Sequence, residues 1–202
     1  MQKDISNNMN TSMDQYIALV NNGGVIIYPT DTACGIGCRI DDDEAVRRIY
    51  EIKGRDLGKA VPVLCSSLEM VQKYTEPVSA EVEKLMQTYW PGALTIVLKA
   101  KTPHVSSLVL GKDNTIGVRI PEDLQIRQLI EKVGVPIVGT SANLAGEPTV
   151  FDTKDVTADV RSKVDAMIEG ECPKRQSSTV VDITQSPWTI LRQGAVELSI
   201  EN

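Results

Sequence analysis

Apolar residues along the chain follow two spacings, one typical of helices and one typical of buried strands. Helical spacing predicts six helices, at residues 13–22, 41–53, 68–74, 79–89, 124–133 and 152–160. Short runs of apolar and β-branched residues predict eight strands, at residues 25–28, 61–64, 94–98, 115–120, 137–139, 164–168, 179–183 and 190–192. Because helices and strands alternate over the whole length, the pattern predicts an α/β fold with a mixed sheet.

Length and composition bound the organisation of the chain. Its 202 residues correspond to a single domain, 1–202, without an internal repeat or a long linker, and they can bury a core without disulfides or metal. No apolar run approaches the roughly 18 residues that a membrane span needs. Residues 1–10 lack the layout of a secretory signal. We therefore expect a cytoplasmic protein with no membrane contact.

The charge of the chain excludes one class of function. The 27 acidic and 21 basic residues give a formal net charge of −6, so global positive charge cannot hold the protein to nucleic acid. Aromatic residues make up only 4%, which argues against a large base-stacking surface. A local basic cleft remains compatible with both observations.

Histidine and cysteine limit the chemistry further. The single histidine, His104, excludes a zinc site with two histidines, and its place after Lys-Thr-Pro predicts an exposed loop residue. We therefore expect catalysis without histidine. The four cysteines, Cys34, Cys38, Cys65 and Cys172, lack the spacing of a disulfide framework or of a four-cysteine zinc site. Buried free thiols in a reducing compartment are the expectation.

Polar clusters follow several predicted strands, where open α/β sheets tend to place ligand sites. Pro-Thr-Asp-Thr at 29–32 offers two hydroxyls and a carboxylate, with an ordinary polar turn as the alternative interpretation. Lys-Gly-Arg at 53–55, followed by Lys59, offers cations that suit phosphate. The same cations also offset the dipole at a helix C-terminus, so the segment alone does not decide between the two roles.

Two more clusters could contact a ligand. Thr115, Gly117 and Arg119 share one face of a predicted strand, where a ligand can approach the glycine backbone closely or the arginine can simply be solvated. Gly-Thr-Ser-Ala-Asn at 139–143 presents hydroxyls, an amide and backbone N–H groups that suit an anion or an amino acid. Alternatively, Ser141 and Asn143 only cap the following turn.

Together these segments resemble the YrdC-type L-threonylcarbamoyladenylate synthase family over nearly the whole chain, from about residue 13 to residue 196. The matching motifs are Pro-Thr-Asp-Thr at 29–32, Lys-Gly-Arg at 53–55, Trp-Pro-Gly at 90–92, Gly-Val-Arg-Ile-Pro at 117–121, Ser-Ala-Asn-Leu at 141–144, Ser-Thr-Val-Val-Asp at 178–182 and Leu-Arg-Gln-Gly at 191–194. The resemblance is to the short, single-domain form. It implies a twisted open mixed sheet with surrounding helices and a deep positive cavity.

The resemblance also implies a nucleotidyltransferase activity. L-threonine, bicarbonate and ATP would give threonylcarbamoyl-AMP and pyrophosphate, for the threonylcarbamoyladenosine modification of tRNA by downstream partner proteins. Catalysis would fall to Lys53 and Arg55. Threonine would be bound by Thr32, Arg119, Gly139 and Ser178. ATP, with Mg²⁺ on its phosphates, would be held by Lys53, Arg55, Lys59, Thr115, Ser141, Asn143, Thr149 and Arg192. No residue is assigned as a ligand of a protein-bound metal.

Departures from the family pattern keep other functions open. Cys34 stands where the family usually has tyrosine, and Leu64 lies near the place where some relatives carry histidine. One alternative is therefore a paralogue that acts on another amine. Asp56 and Ala60 also replace frequent prolines beside the Lys-Gly-Arg motif. A further alternative, which does not rest on these departures, is a double-stranded RNA-binding or ribosome-assembly accessory protein that contacts RNA through the same cavity.

Overall fold

Six helices lie within residues 12–101 and 105–198, the part of the chain that the computed structural model describes. They occupy Met13–Asn21 (α1), Asp43–Lys53 (α2), Leu68–Tyr74 (α3), Ala80–Tyr89 (α4), Leu124–Val133 (α5) and Ala158–Arg161 (α6). The first five agree with the predicted helices to within two residues at each end. The helix predicted at 152–160 is instead split into a 3₁₀ turn at Thr153–Asp155 and the short α6.

Ten strands within the same residues form two sheets. They occupy Ile26–Tyr28 (β1), Gly35–Gly37 (β2), Val63–Leu64 (β3), Leu94–Lys99 (β4), Thr115–Arg119 (β5), Ile137–Val138 (β6), Thr140–Ser141 (β7), Ala166–Met167 (β8), Thr179–Asp182 (β9) and Thr189–Arg192 (β10). The sequence predicted neither β2 nor β7. The four-stranded sheet has the order β7-β2-β1-β8, and the six-stranded sheet has the order β10-β9-β4-β5-β3-β6.

Both sheets are mixed, which confirms the predicted fold class. In the smaller sheet β1 pairs antiparallel with β2 and parallel with β8. In the larger sheet β4 pairs antiparallel with β5 and parallel with β9. The sequence predicted one sheet, whereas the strands divide between two that share one buried apolar cluster. That cluster also takes in all four cysteines, which are buried and free as predicted.

The ends of α2 show how local sequence places two of the predicted site residues. Asp42 caps the helix through a side-chain oxygen that accepts from the Ala45 N–H at 2.9 Å. Gly54 ends it in the left-handed conformation, with a φ of 58°, which glycine adopts at no steric cost. Lys53 is therefore the last helical residue and Arg55 the first of the following loop.

No helix in the described part of the chain is long and apolar enough to cross a membrane. His104, predicted to be an exposed loop residue, lies outside the described residues.

Candidate active site

A cavity of about 170 Å³ receives side chains from both sheets and from the loops that follow their strands. Its described lining residues are Tyr28, Thr30, Thr32, Ala33, Cys34, Gly35, Arg55, Pro62, Leu64, Thr95, Arg119, Gly139, Thr140, Ser141, Ser177, Ser178 and Arg192. Three of them are arginines and none is a carboxylate. The cavity is therefore cationic and rich in hydroxyl groups, although the chain as a whole carries a net charge of −6.

The Pro-Thr-Asp-Thr turn forms one wall of the cavity and is held by its own hydroxyls. Thr30 Oγ1 accepts the backbone N–H groups of Thr32 at 3.1 Å and Ala33 at 3.2 Å, and it donates to the Ala33 carbonyl at 2.8 Å. Such side-chain bonds close a tight turn without a regular strand or helix. The turn thus presents Thr32 toward β5 in a fixed orientation.

Arg119, at the end of β5, is fixed by three partners and is only 5% exposed. Its Nε donates to the Gly92 carbonyl at 2.8 Å, its Nη1 donates to Thr32 Oγ1 at 2.6 Å, and its Nη2 pairs with Asp31 Oδ1. Burial lowers the pKa of Arg119, and the Asp31 carboxylate opposes that effect. The guanidinium therefore stays charged and cannot rotate away from the cavity.

Asp31 lies behind Arg119 and contacts a second cation. Its Oδ1 also accepts the Glu122 N–H at 3.1 Å, and its Oδ2 lies 3.5 Å from Lys174 Nζ. Lys174 in turn pairs with the Glu122 side chain. Because Asp31 is 4% exposed, its charge depends on these neighbours for compensation. The residue orients Arg119 and does not itself line the cavity.

Ser178 and Arg192 line a further part of the cavity. Ser178 Oγ lies 2.8 Å from Thr95 Oγ1, and it accepts from Arg192 Nη2 at 3.1 Å. The Ser178 carbonyl accepts from both Nε and Nη2 of Arg192, at 3.0 and 2.8 Å. Arg192 is thus tied to the loop that precedes β9, although its sequence position is on β10.

Arg55 enters the cavity from the loop after α2. Its Nε donates to the Lys59 carbonyl at 3.2 Å and its Nη2 to the Ala60 carbonyl at 3.0 Å. These bonds fold the 55–60 loop around the guanidinium and leave Nη1 without a protein partner in the described residues. A guanidinium held in this way can donate to a phosphate that enters the cavity.

Lys53 lies behind the cavity and holds one of its loops. The amine is buried, and its Nζ donates to the carbonyls of Ser141 and, at 2.6 Å, of Asn143. Burial lowers the pKa of Lys53 to about 8, with a smaller contribution from the Arg55 charge. Lys53 therefore fixes the path of the 141–143 loop, so that the Ser141 side chain faces the cavity.

Replacing Lys53 with methionine is expected to change how stability depends on pH. In the folded chain the amine has a pKa of about 8, against an ordinary value of 10.5, so between these values the unfolded chain binds more protons. The free energy of unfolding of the wild type should therefore rise relative to that of the variant, by about 2 kcal/mol between pH 7.5 and 9.5. Urea denaturation of both proteins at the two pH values measures this difference. An equal change in the free energy of unfolding of the two proteins between these pH values would contradict the prediction.

Gly139 lines the cavity and packs its backbone closely against Leu64. A Cβ built on Gly139 would lie 2.6 Å from Leu64 Cγ, so no larger residue fits there without displacing the leucine. Leu64, on β3, is 2% exposed and lines the cavity itself. This part of the site is therefore apolar and tightly packed.

The structure brings most of the predicted site residues together. Those that line the cavity are Thr32, Arg55, Arg119, Gly139, Ser141, Ser178 and Arg192. Those that do not line it are Lys53, Lys59, Thr115, Asn143 and Thr149. The predicted binding roles of all twelve residues remain predictions.

Besides Lys53, the four other predicted residues outside the lining have different contacts or positions. Lys59 is exposed and pairs with Asp56 at 3.0 Å, and Thr115 Oγ1 donates to the Lys112 carbonyl at 3.0 Å. Asn143 donates through Nδ2 to the carbonyls of the following turn. Thr149 is partly buried in the same loop. Each of these positions adjoins a segment that does reach the cavity.

Tyr28, Pro62 and Thr95 are among the lining residues to which sequence reasoning assigned no role. Tyr28 and Pro62 carry no signal of ligand contact in the sequence, since each reads as an ordinary strand or turn residue. Thr95 does carry one, because it is the single polar residue in the apolar run at 94–98. A hydroxyl at that position of a buried strand needs a partner, which the structure shows to be Ser178.

The fold and the cavity define a mixed α/β protein with a cationic, hydroxyl-lined ligand site. The chain belongs to the Sua5/YciO/YrdC family, whose model, described as "Telomere recombination", matches residues 18–194. The family predicted from the motifs is thereby confirmed.

One sequence match and two structural matches show how similar the chain is to known proteins. The chain is 33% identical over 180 residues to the threonylcarbamoyl-AMP synthase of Pyrococcus abyssi (strain GE5 / Orsay), a match that covers 89% of this chain and 53% of that protein. The crystal structure of P. abyssi Sua5 complexed with L-threonine matches with a TM-score of 0.86 and 32% identity, covering 90% of this chain and 54% of that one. E. coli YciO matches with a TM-score of 0.81 and 31% identity, covering 90% and 88%. The chain thus spans about half the length of the Pyrococcus relative.

Proposed function

We propose that this protein is an L-threonylcarbamoyladenylate synthase, which forms threonylcarbamoyl-AMP and pyrophosphate from L-threonine, bicarbonate and ATP. The observation that carries the proposal is the convergence of three guanidinium groups and several hydroxyls on one cavity, in a chain of this family. The naming of one relative as a threonylcarbamoyl-AMP synthase and the L-threonine bound to another support it.

The nucleotide is proposed to lie with its phosphates between Arg55, Arg192 and Ser141. Both arginines keep part of their guanidinium groups turned to the cavity while other nitrogens are bonded to carbonyls of the chain. Guanidinium forks suit the oxygens of a phosphate chain. Lys53 acts on this side of the cavity as a positioning residue, because its partners are the carbonyls of the 141–143 loop.

The amino acid is proposed to lie on the side of Thr32 and Arg119. A carboxylate there would meet a guanidinium whose orientation is already fixed by Gly92, Thr32 and Asp31. Little rotational freedom is lost when a ligand binds such a group, which favours both affinity and orientation. Ser178 and Thr95 supply hydroxyls on the facing wall.

The proposed reaction needs positioning and charge neutralisation. The threonine amine attacks the bicarbonate carbon to give a carbamate, with release of water. A carbamate oxygen then attacks the α-phosphorus, and the bond to the β-phosphate oxygen breaks to release pyrophosphate. Fixed cations that meet the charge developing on the leaving phosphates lower this barrier. No covalent intermediate with the protein and no histidine is required.

Mg²⁺ is proposed to enter with ATP. Among residues 12–101 and 105–198, no group of three or more His, Cys, Asp or Glu side chains could hold a metal ion. The described lining residues offer hydroxyls and guanidinium groups instead of carboxylates. The residues present therefore do not fit a resident Mg²⁺, whose ligands would be phosphate oxygens and water. No step of the proposed reaction depends on a metal held by the chain.

A second candidate substrate is favoured by the composition of the cavity wall. Cys34 and Leu64 both line the cavity, at places where tyrosine or histidine was expected from the family pattern. Their smaller or less polar side chains leave the acceptor pocket wider and more apolar. An amine other than threonine would then be the preferred acceptor in the same reaction. The product of the threonine reaction, threonylcarbamoyl-AMP, is proposed to pass to partner proteins that modify tRNA.

Release of pyrophosphate from ATP and bicarbonate tests the proposal. We expect at least a tenfold higher rate with L-threonine than with no amine, and a lower rate with L-serine, L-valine or glycine. A higher rate with one of those amines would favour the second candidate. ATP binding without amine-dependent release would contradict both. Omission of bicarbonate provides the control, since the carbamate cannot form without it.

A further inference from the structure

Two thiols meet at the wall of the cavity. The sulfur of Cys34, which lines the cavity, lies 3.6 Å from the sulfur of Cys172, and both side chains are buried and free. We propose that Cys34 and Cys172 are a modification site, at which a peroxide oxidises the pair to a reversible disulfide that alters the cavity. Formation of the disulfide does not depend on the proposed synthase activity, whereas its effect on ATP affinity rests on the proposed ATP site.

The backbone holds the two cysteines side by side. The Cys34 N–H donates to the Val150 carbonyl at 2.9 Å, and the Cys172 N–H donates to the Phe151 carbonyl at 2.7 Å. Because Val150 and Phe151 are consecutive, these two bonds hold the backbones of Cys34 and Cys172 close together. Since a disulfide has a sulfur–sulfur bond of about 2.05 Å, the sulfurs must approach by about 1.5 Å, which side-chain rotation and a small backbone shift can provide.

The contact between the two sulfurs also favours formation of a thiolate. The hydrogen bond from Cys34 lowers the pKa of Cys172, so the first proton is lost from Cys172. Cys34 belongs to the cavity lining, and the same contact raises its own pKa, so Cys34 keeps its proton. The Cys172 thiolate is therefore the nucleophile of the pair.

The atoms and electrons balance for hydrogen peroxide as the oxidant. The Cys172 thiolate attacks one peroxide oxygen, the O–O bond breaks, and Cys172 sulfenic acid and hydroxide form. The Cys34 sulfur then attacks the Cys172 sulfur, the S–O bond breaks, and the departing hydroxide takes the Cys34 proton to leave as water. Two electrons pass from the sulfurs to the peroxide.

Disulfide formation would act on both halves of the cavity. The Cys34 carbonyl accepts the Ala142 N–H at 2.8 Å, so movement of Cys34 is passed to the 141–143 loop. The turn that contains Cys172 is bonded to the other half, because the Lys174 N–H donates to the Asp31 carbonyl at 3.0 Å. We therefore expect the oxidised protein to bind ATP at least tenfold more weakly than the reduced protein.

The first part of the test counts thiols. After treatment with hydrogen peroxide, the number of thiols titrated under denaturing conditions should fall from four to two and return to four with dithiothreitol. Peptide mass spectrometry without reduction should identify a Cys34–Cys172 link. Four remaining thiols, or a link through Cys38 or Cys65, would overturn the proposal. Neither readout requires a synthase activity.

The second part compares two variants. Cys172→Ser should keep the same ATP affinity before and after peroxide. The wild-type Cys38 thiol donates to the Arg39 carbonyl, so Cys38→Ser should lose affinity on oxidation as the wild type does. An equal loss in Cys172→Ser and the wild type would overturn the proposed switch. So would an unchanged ATP affinity in wild-type protein that has formed the link.

Discussion

Replacing Arg119 with alanine is expected to lower the midpoint of thermal unfolding by roughly 10 °C. The change removes one partner of a buried ion pair and leaves the Asp31 carboxylate, 4% exposed, with only the partly exposed Lys174 as a neighbouring cation. Breaking such a pair from one side costs about 3–5 kcal/mol, because the remaining charge stays in a medium that solvates it poorly. Differential scanning calorimetry measures the midpoint.

Companion variants distinguish the loss of the pair from a general loss of positive charge. Arg47, exposed on α2 and outside the cavity, provides the matched control, and Arg47→Ala should change the midpoint by no more than about 2 °C. The double variant Asp31→Asn/Arg119→Ala should recover part of the lost stability, since it no longer buries a lone carboxylate. A midpoint for Arg119→Ala equal to that of Arg47→Ala would contradict the role of the pair.

A conservative variant keeps the prediction testable if Arg119→Ala fails to fold. Arg119→Lys retains the charge near Asp31, but one amine cannot reach Gly92, Thr32 and Asp31 at once as the guanidinium does. We expect this variant to fold and to bind L-threonine at least tenfold more weakly in calorimetric titration. Unchanged L-threonine affinity would show that the fixed guanidinium orientation is not needed for binding.

Most helices could be predicted because their signals are local. In α2, for example, the Asp42 cap, the apolar spacing and Gly54 all lie within one short segment. Strand β2 gave no such signal, because its sequence is Gly-Ile-Gly and glycine weakens an isolated strand. The strand forms where the ring of Tyr28 packs over these glycines, so close that a Cβ on Gly35 would lie 2.5 Å from the ring. That contact comes from the pairing with β1 and cannot be read from residues 35–37 alone.

The arrangement of the site residues likewise depends partly on local sequence and partly on contacts between distant segments. The turn at 29–32 and Arg119 were predicted together, and they do meet at the cavity. Thr115 was predicted from the same strand face as Arg119, but four residues of strand separate them by roughly 13 Å, beyond the lining. Lys53 has the right charge for a phosphate ligand, yet its amine is directed to carbonyls that lie 88 and 90 residues further along the chain. Motifs therefore identified the segments of the site, while the direction of each side chain followed from tertiary packing.

Replacing Arg55 with alanine is expected to reduce kcat/KM for pyrophosphate release by about 10²–10³-fold with little loss of stability. The guanidinium lines the cavity, and its protein bonds go to the Lys59 and Ala60 carbonyls, which water can satisfy in its absence because both residues are exposed. A cation that meets charge as it develops on the leaving phosphates contributes mainly to the transition state, so kcat should fall more than KM rises. Steady-state kinetics and thermal unfolding of the same preparations measure the two effects.

A variant of the neighbouring Lys59 distinguishes a specific role of the Arg55 side chain from a general effect of positive charge in the loop. Its amine is exposed, pairs with Asp56 and lies outside the described lining, so Lys59→Ala should lower kcat/KM by less than about tenfold. Arg47→Ala should leave the kinetics unchanged. Equal losses in Arg55→Ala and Lys59→Ala would contradict the assignment of Arg55 as the phosphate contact, because the two changes would then act through the charge of the loop and not through the cavity.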